Sequence, residues 1–357
     1  MTTPASTTML FGRPFGIVRL LDGRITQRLD LRALVVTLAL VTIALAVSLF
    51  ALASGEFAVP VGEVIGALFG QASPKVHMVV VEWRLPRAAL ALLLGAALGV
   101  SGAIFQSLTR NPLGSPDIIG FNAGSYTGAL IVITLLNGSF YAVAGGALVG
   151  GLLTAIVVYG LSWRSGVQGF RLIVVGIGVS AMLTSLNTWL MLRADLKVAM
   201  MASIWGSGSL NGLGLDRLLQ VSIVLALVMP FVLLLSRPMR QLELGDDAAR
   251  AHGVSVERTR LGLMMVGVAL TAIATGIAGP IAFVALAAPQ IARRLAGSAG
   301  VALLPAAAMG ALLLAASDVL AQRAFAPSQL PVGIVTVCLG GLYFAWLLMR
   351  EARRQPR

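Results

Sequence analysis

Cysteine is all but missing from this chain. Cys338 stands alone in an apolar run, so no intrachain disulfide can form, no Cys-based metal site can be built and redox chemistry is not indicated. Lysine is nearly absent too: Lys75 and Lys197 are the only two, and neither follows the glycine-rich run that a phosphate-cradling loop needs. The chain therefore does not itself hydrolyse ATP through such a loop. His77 and His252 lie far apart, with no carboxylate at helical spacing, and read as loop residues rather than as a metal or catalytic pair. Charge of either sign is scarce at 11% of 357 residues, where soluble domains carry about a quarter.

What replaces charge is apolar surface. Hydrophobic residues make up 58% of the chain, and runs near the ~20 residues that cross a bilayer recur along most of it. The expected fold class is an all-α integral membrane protein with about ten transmembrane helices. The runs are 34–53, 88–108, 118–136, 140–161, 172–192, 218–236, 261–277, a short proline-bounded one at 279–291, then 301–321 and 331–349. This gives a basic tail at 1–33, a membrane domain at 34–350 and a tail at 351–357. The net charge of +12 is dispersed in short clusters between runs, which reads as a topology signal and not as a nucleic-acid surface. With the N-terminus inside, the inner segments hold 19 basic residues and the outer ones 7. Cytoplasmic enrichment in Arg and Lys thus puts both termini in the cytoplasm. The first run is longer than a signal-peptide core, and an uncleaved first span is expected despite "ALASG" at its end.

Three features stand out within this pattern. Gly95, Gly99 and Gly102 with neighbouring Ala and Ser strip one span of bulk, as do Gly145, Gly146, Gly150 and Gly151 in another and Gly176 and Gly178 in a third. Such residues let helix backbones approach closely in a bilayer, and close packing accounts for them without substrate contact. The breaks "TRNPLGSPDIIG" (109–120) and "AGPIAFVALAAPQIARR" (278–294) are candidate wall or gate elements, because irregular backbone at membrane depth survives only beside protein or a water-filled cavity. Asn111, Pro112, Gly176, Gly178, Asn187, Pro280, Pro289 and Gln290 are the pathway candidates. Asp318 is the one acidic residue placed within a span, and pairing with Arg323 is the expected way to satisfy it. The segment 237–260 contains "ELGDDAARAHGVSVER", which reads as a short exposed helix stopped by Gly253.

"RLPR" (84–87), "GAALGVSGAIFQSLTRNPLGSPDIIGFNAG" (95–124), "LGDDAARAHGV" (244–254), "AGPIAFVALAAPQIAR" (278–293) and "QLPVGIVTVCLGG" (329–341) stand in the order found in the FecCD-type permeases of ABC importers for iron siderophores, haem and vitamin B12. The chain resembles that family over nearly everything after residue 33, and its ferric-enterobactin branch most. The resemblance implies the type II ABC importer permease fold, a second homologous permease subunit, two cytoplasmic ATPase subunits that use ATP and Mg, and an external siderophore-binding protein. No cofactor, metal or nucleic acid is implied for this chain. The bacterial inner membrane is the implied location. The resemblance also assigns Arg84, Arg87 and Arg323 to docking of the binding protein. It assigns Leu244, Gly245, Asp246, Asp247, Ala249, Arg250, Gly253 and Val254 to ATPase coupling. Three departures stand out: Gln290 where Pro-His is common, Gln329 where an acidic residue is common, and Gln322 where an outer arginine is common, with Arg323 one residue later. Competing readings are a proton-coupled secondary transporter using Asp318 and a membrane scaffold without transport.

Overall fold

A computed structural model describes residues 6–10, 13–20, 25–136, 138–163 and 169–352. The remainder of both tails, including 353–357, lies outside the described residues. In the N-terminal tail three strands, β1 (Ser6–Leu10), β2 (Arg13–Leu20) and β3 (Ile25–Asp30), form an antiparallel sheet in sequence order, with Ser6 opposite Ile17 and Phe15 opposite Asp30. The elements that follow it are all helices. The Asp30 carboxylate accepts from the N–H groups of Arg32 and Ala33 and so starts α1 (Leu31–Ala53) at the first apolar run.

The helices that follow are α2 (Val61–Leu68), α3 (Pro74–His77), α4 (Leu85–Thr109), α5 (Phe121–Leu135), α6 (Phe140–Ser162), α7 (Gly169–Arg193) and α8 (Leu196–Gly206). Then come α9 (Leu215–Glu243), α10 (Asp246–Ala251), α11 (Val256–Ala278), α12 (Val284–Ala296), α13 (Leu303–Arg323) and α14 (Val332–Ala352). Each of the ten expected runs overlaps one helix, and among the described residues seven helices are long and apolar enough to cross a membrane. The proline-bounded run is α12, whose 13 residues rise only about 20 Å and stop short of a ~30 Å hydrocarbon core. Ahead of the second apolar run, a π-helical segment (Met78–Arg84) joins α3 to α4, making 36 continuous helical residues from Pro74 to Thr109. Arg84 and Arg87 therefore sit on a helix.

The glycines of α4 explain its place in the middle of the bundle. A methyl group at Gly95 would collide with the Gly310 carbonyl of α13, at Gly99 with Ala306 of the same helix, and at Gly102 with Ala285 of α12. With no hydrophobic drive between helices in lipid, this backbone approach is what holds them. Gly124 and Gly128 on α5 meet Gly150 and Gly146 on α6 in the same way. The outer helices turn bulky apolar side chains outward, among them Leu38, Ile156, Met182 and Leu227, as lipid contact demands.

Candidate functional site

At the N-terminal end of α4 the Arg87 guanidinium meets Asp318 of α13 with a two-pronged fork, Nε to Oδ2 at 2.9 Å and Nη2 to Oδ1 at 2.8 Å. Gln322, one turn on, donates to the same carboxylate at 2.8 Å, and Arg87 Nη1 reaches Gln329 Oε1 at 3.0 Å. Asp318 is 3% exposed, and such a buried carboxylate persists only when donors replace its water. The expected Asp318–Arg323 pair is thus corrected: the partner comes from α4, because residues four and not five apart share a helix face and Gln322 occupies that place. Two of the three family departures, Gln322 and Gln329, are neutral groups completing this cluster. With both oxygens held by Arg87 and Gln322, the proton-coupled reading of Asp318 has no support.

The other proposed docking arginines differ from one another. Arg84 donates to the carbonyls of Leu52 (2.7 Å) and Phe57 (2.6 Å), tying the helix to the end of α1. Arg84 and Arg87 are therefore both hydrogen-bonded within the chain. Arg323 is exposed, with its guanidinium 5.9 Å from the Phe50 ring centroid, and keeps its polar edge available.

At the other end of α4, Arg110 adopts a left-handed conformation (φ 49°) that stops the helix. Its Nε and Nη2 both donate to the Leu242 carbonyl, at 3.0 and 2.7 Å, and Nη2 pairs with Asp246 Oδ1 at 2.5 Å. Arg260 of α11 reaches the same oxygen at 2.8 Å. Asp246 opens α10, the expected short helix, between Gly245 (φ 117°) and Gly253 (φ 79°). Partial burial pushes its carboxyl up, but the hydrogen bond from Arg110 and the charges of Arg260 and Arg110 outweigh this and hold it below the usual range. Ala249 is buried against the body, whereas Leu244 (71% exposed), Asp247 and Arg250 face outward, the last two paired at 3.2 Å. Val254 half-buries its side chain while its N–H closes the turn onto Ala249 O.

Between these ends, the break after α4 runs along α12. Gln290 Nε2 donates to Pro112 O at 2.7 Å, Gln106 Nε2 to Leu286 O at 3.0 Å, and Asp117 Oδ2 accepts the Phe283 N–H at 3.2 Å while Asn122 holds its other oxygen at 2.6 Å. Phe283 is left-handed (φ 68°), an uncommon state for a non-glycine residue. Asn111 Oδ1 accepts the Leu113 N–H, shaping the turn. The structure thus brings Asn111, Pro112, Pro289 and Gln290 together, with Pro280 past the far end of α12 against Gly208 and Gly333. Gly176 packs on the backbone of Ile118 and Ile119. Gly178 faces open space on α7 and the buried Asn187 bonds Ala123 O at 3.4 Å, both apart from that group. Sequence reasoning missed Gln106, Arg110, Asp117 and Arg260. For Arg110 a signal existed: a lone cation at a span end, two residues before a proline. Among the described residues no cluster of His, Cys, Asp or Glu could hold a metal ion.

Residues 40–350 match the FecCD transport family. The chain is 52% identical to the ferric enterobactin transport system permease protein of Escherichia coli, over 91% of this chain and 98% of that one. It is 37% identical to the iron(3+)-hydroxamate import system permease protein of Bacillus subtilis, over 81% and 88% respectively. Among solved structures, a metal-chelate-type ABC transporter in an inward-facing conformation superposes with a TM-score of 0.76 at 27% identity, covering 88% of this chain and 99% of that one. A helical bundle pinned by glycine contacts and interrupted at α12, with these relatives along nearly its whole length, is a multi-pass membrane permease, and the chain belongs to the FecCD transport family.

Proposed function

We propose that this chain is the permease subunit of an ATP-driven importer that carries a ferric siderophore of the catecholate type across the inner membrane by alternating access. The observation that carries the reading is the 52% identity spanning 98% of the Escherichia coli ferric enterobactin permease. A second homologous permease completes the pathway. Two cytoplasmic ATPases bind the ATP and Mg, of which this chain binds none, and an external binding protein delivers the chelate. The excess of 19 basic residues over 7 supports cytoplasmic termini and, with them, α10 on the ATPase side. There the exposed Leu244, Asp247 and Arg250 offer a small apolar and charged knob to a groove on the ATPase. Of the three arginines assigned to docking, Arg323 is the exposed one on the outer side and offers a cation to carboxylates of the binding protein.

In a strain lacking the chain, the intact gene should restore vanadate-sensitive uptake of iron-55 enterobactin, with the ATPase copurifying from membranes. Uptake insensitive to vanadate, or no rescue by any catecholate chelate, would reject the reading. Arg323→Glu should reach the membrane in normal amount and weaken binding-protein docking about fivefold, as loss of one exposed ion pair worth ~1 kcal/mol implies. Unchanged docking in a binding assay would remove Arg323 from that surface.

A further inference from the structure

We infer that Arg110 and the break that follows it form a stiff lever that transmits movement of α10 to α12 and, through Phe283, to α14, with Gln290 and Asp117 as the positioning residues that fasten it. The inference rests on the importer reading above, since it names how ATPase movement at α10 would reach the pathway.

The lever has three fixed points. At its root, one guanidinium grips both the last turn of α9, through Leu242 O, and the first residue of α10, through Asp246. A planar guanidinium holds two such acceptors in fixed relation, which a flexible ammonium does not. Along its length, turns leave the segment little freedom: Leu113 N–H bonds Asn111 Oδ1, Gly114 N–H bonds Asn111 O at 2.9 Å, and Phe121 N–H bonds Pro116 O at 3.2 Å. Pro112 and Pro116 fix two more backbone angles. At its tip, the Gln290–Pro112 and Phe283–Asp117 bonds grip α12 seven residues apart, or about 10 Å along the helix. Two grips at that spacing pass on rotation as well as translation. Beyond the tip, the Phe283 side chain lies directly over Gly340 of α14, where a methyl group would collide with it. Packed elements of this kind shift between discrete arrangements and do not deform continuously.

Gln290 supplies the decisive test, because the fastening needs only a side-chain N–H donor at that position. Gln290→Leu keeps bulk and removes the donor, whereas Gln290→His retains one. In proteoliposomes holding the full complex with ATPases and binding protein, Gln290→Leu should assemble and hydrolyse ATP but lose at least about tenfold in chelate transported per ATP. Gln290→His should stay within about twofold of wild type. Equal transport per ATP in wild type and Gln290→Leu would overturn the lever. Should Gln290→Leu fail to assemble, Arg110→Lys keeps a cation toward Asp246 without the fork, and an unchanged ratio there overturns the lever equally. Wild-type uptake without any ATPase in the complex would instead reject the importer reading.

Discussion

At one end of α4 an arginine and an aspartate meet in near-complete burial, and at the other an arginine and an aspartate meet half in the open. Arg87 and Asp318 have side chains 15% and 4% exposed, and Arg110 and Asp246 have 42% and 29%. The first pair joins two helix interiors, α4 and α13, already locked by Gly95, Gly99 and Gly310. The second joins a helix end to a six-residue helix between two left-handed glycines, Gly245 and Gly253. Identical chemistry thus serves as a rivet where backbones touch and as a joint where they do not. The contrast assigns the Arg87 end to holding shape and the Arg110 end to transmitting motion.

The rivet is where the largest effect is expected. Arg87→Ala leaves the Asp318 charge buried with Gln322 as its only side-chain partner, a loss of about 3–5 kcal/mol, enough to empty the membrane of folded protein. Arg87→Leu combined with Asp318→Leu removes both charges and should recover most of the folded fraction, measured by fluorescence-detected size exclusion in detergent. A folded yield of Arg87→Ala equal to wild type would show that the end is not a rivet. This also separates Arg87 from Arg323, whose reversal is expected to leave folding untouched.

Between rivet and joint lies the glycine contact, and here the sequence was legible to different depths. Low bulk in α4 announced a helix surrounded by helices, because periodicity and residue size are local properties of the chain. Which glycine meets which carbonyl was not, since Gly95–Gly310 and Gly99–Ala306 bring together residues more than 200 positions apart. The same limit misassigned Asp318: Arg323 is near in sequence, but Arg87 is near in space. α10 was legible because its acidic start and Gly253 stop are local signals. Gly99→Ala should cost about 1–3 kcal/mol by overpacking, seen as a lower midpoint of thermal unfolding in detergent. Gly178→Ala, with nothing within 4 Å, should change that midpoint little. Equal effects at the two positions would mean that the α4–α13 contact is not tight.

The joint should show the smallest stability effect and one with a definite sign. Asp246 has its carboxyl held below the usual range by Arg110 and Arg260, net of the burial that raises it. A depressed carboxyl contributes stability above its unfolded value of about 3.9, and loses that contribution as pH falls through the lower folded value. Asp246→Asn should therefore lower the unfolding midpoint near neutral pH by the equivalent of ~1 kcal/mol or less, as befits a partly exposed pair. The gap between wild type and variant should begin to narrow as pH falls below about 4, where the unfolded chain takes up the proton, and go on narrowing down through the lower folded value. Thermal unfolding followed at pH 7, 5 and 3.5 tests this directly. A gap that stays constant would mean that the Asp246→Asn change acts through shape and not through charge, and that Arg110 is held mainly by the Leu242 carbonyl of α9. A gap several times larger would make this end a rivet too, and the division of the two ends of α4 would disappear.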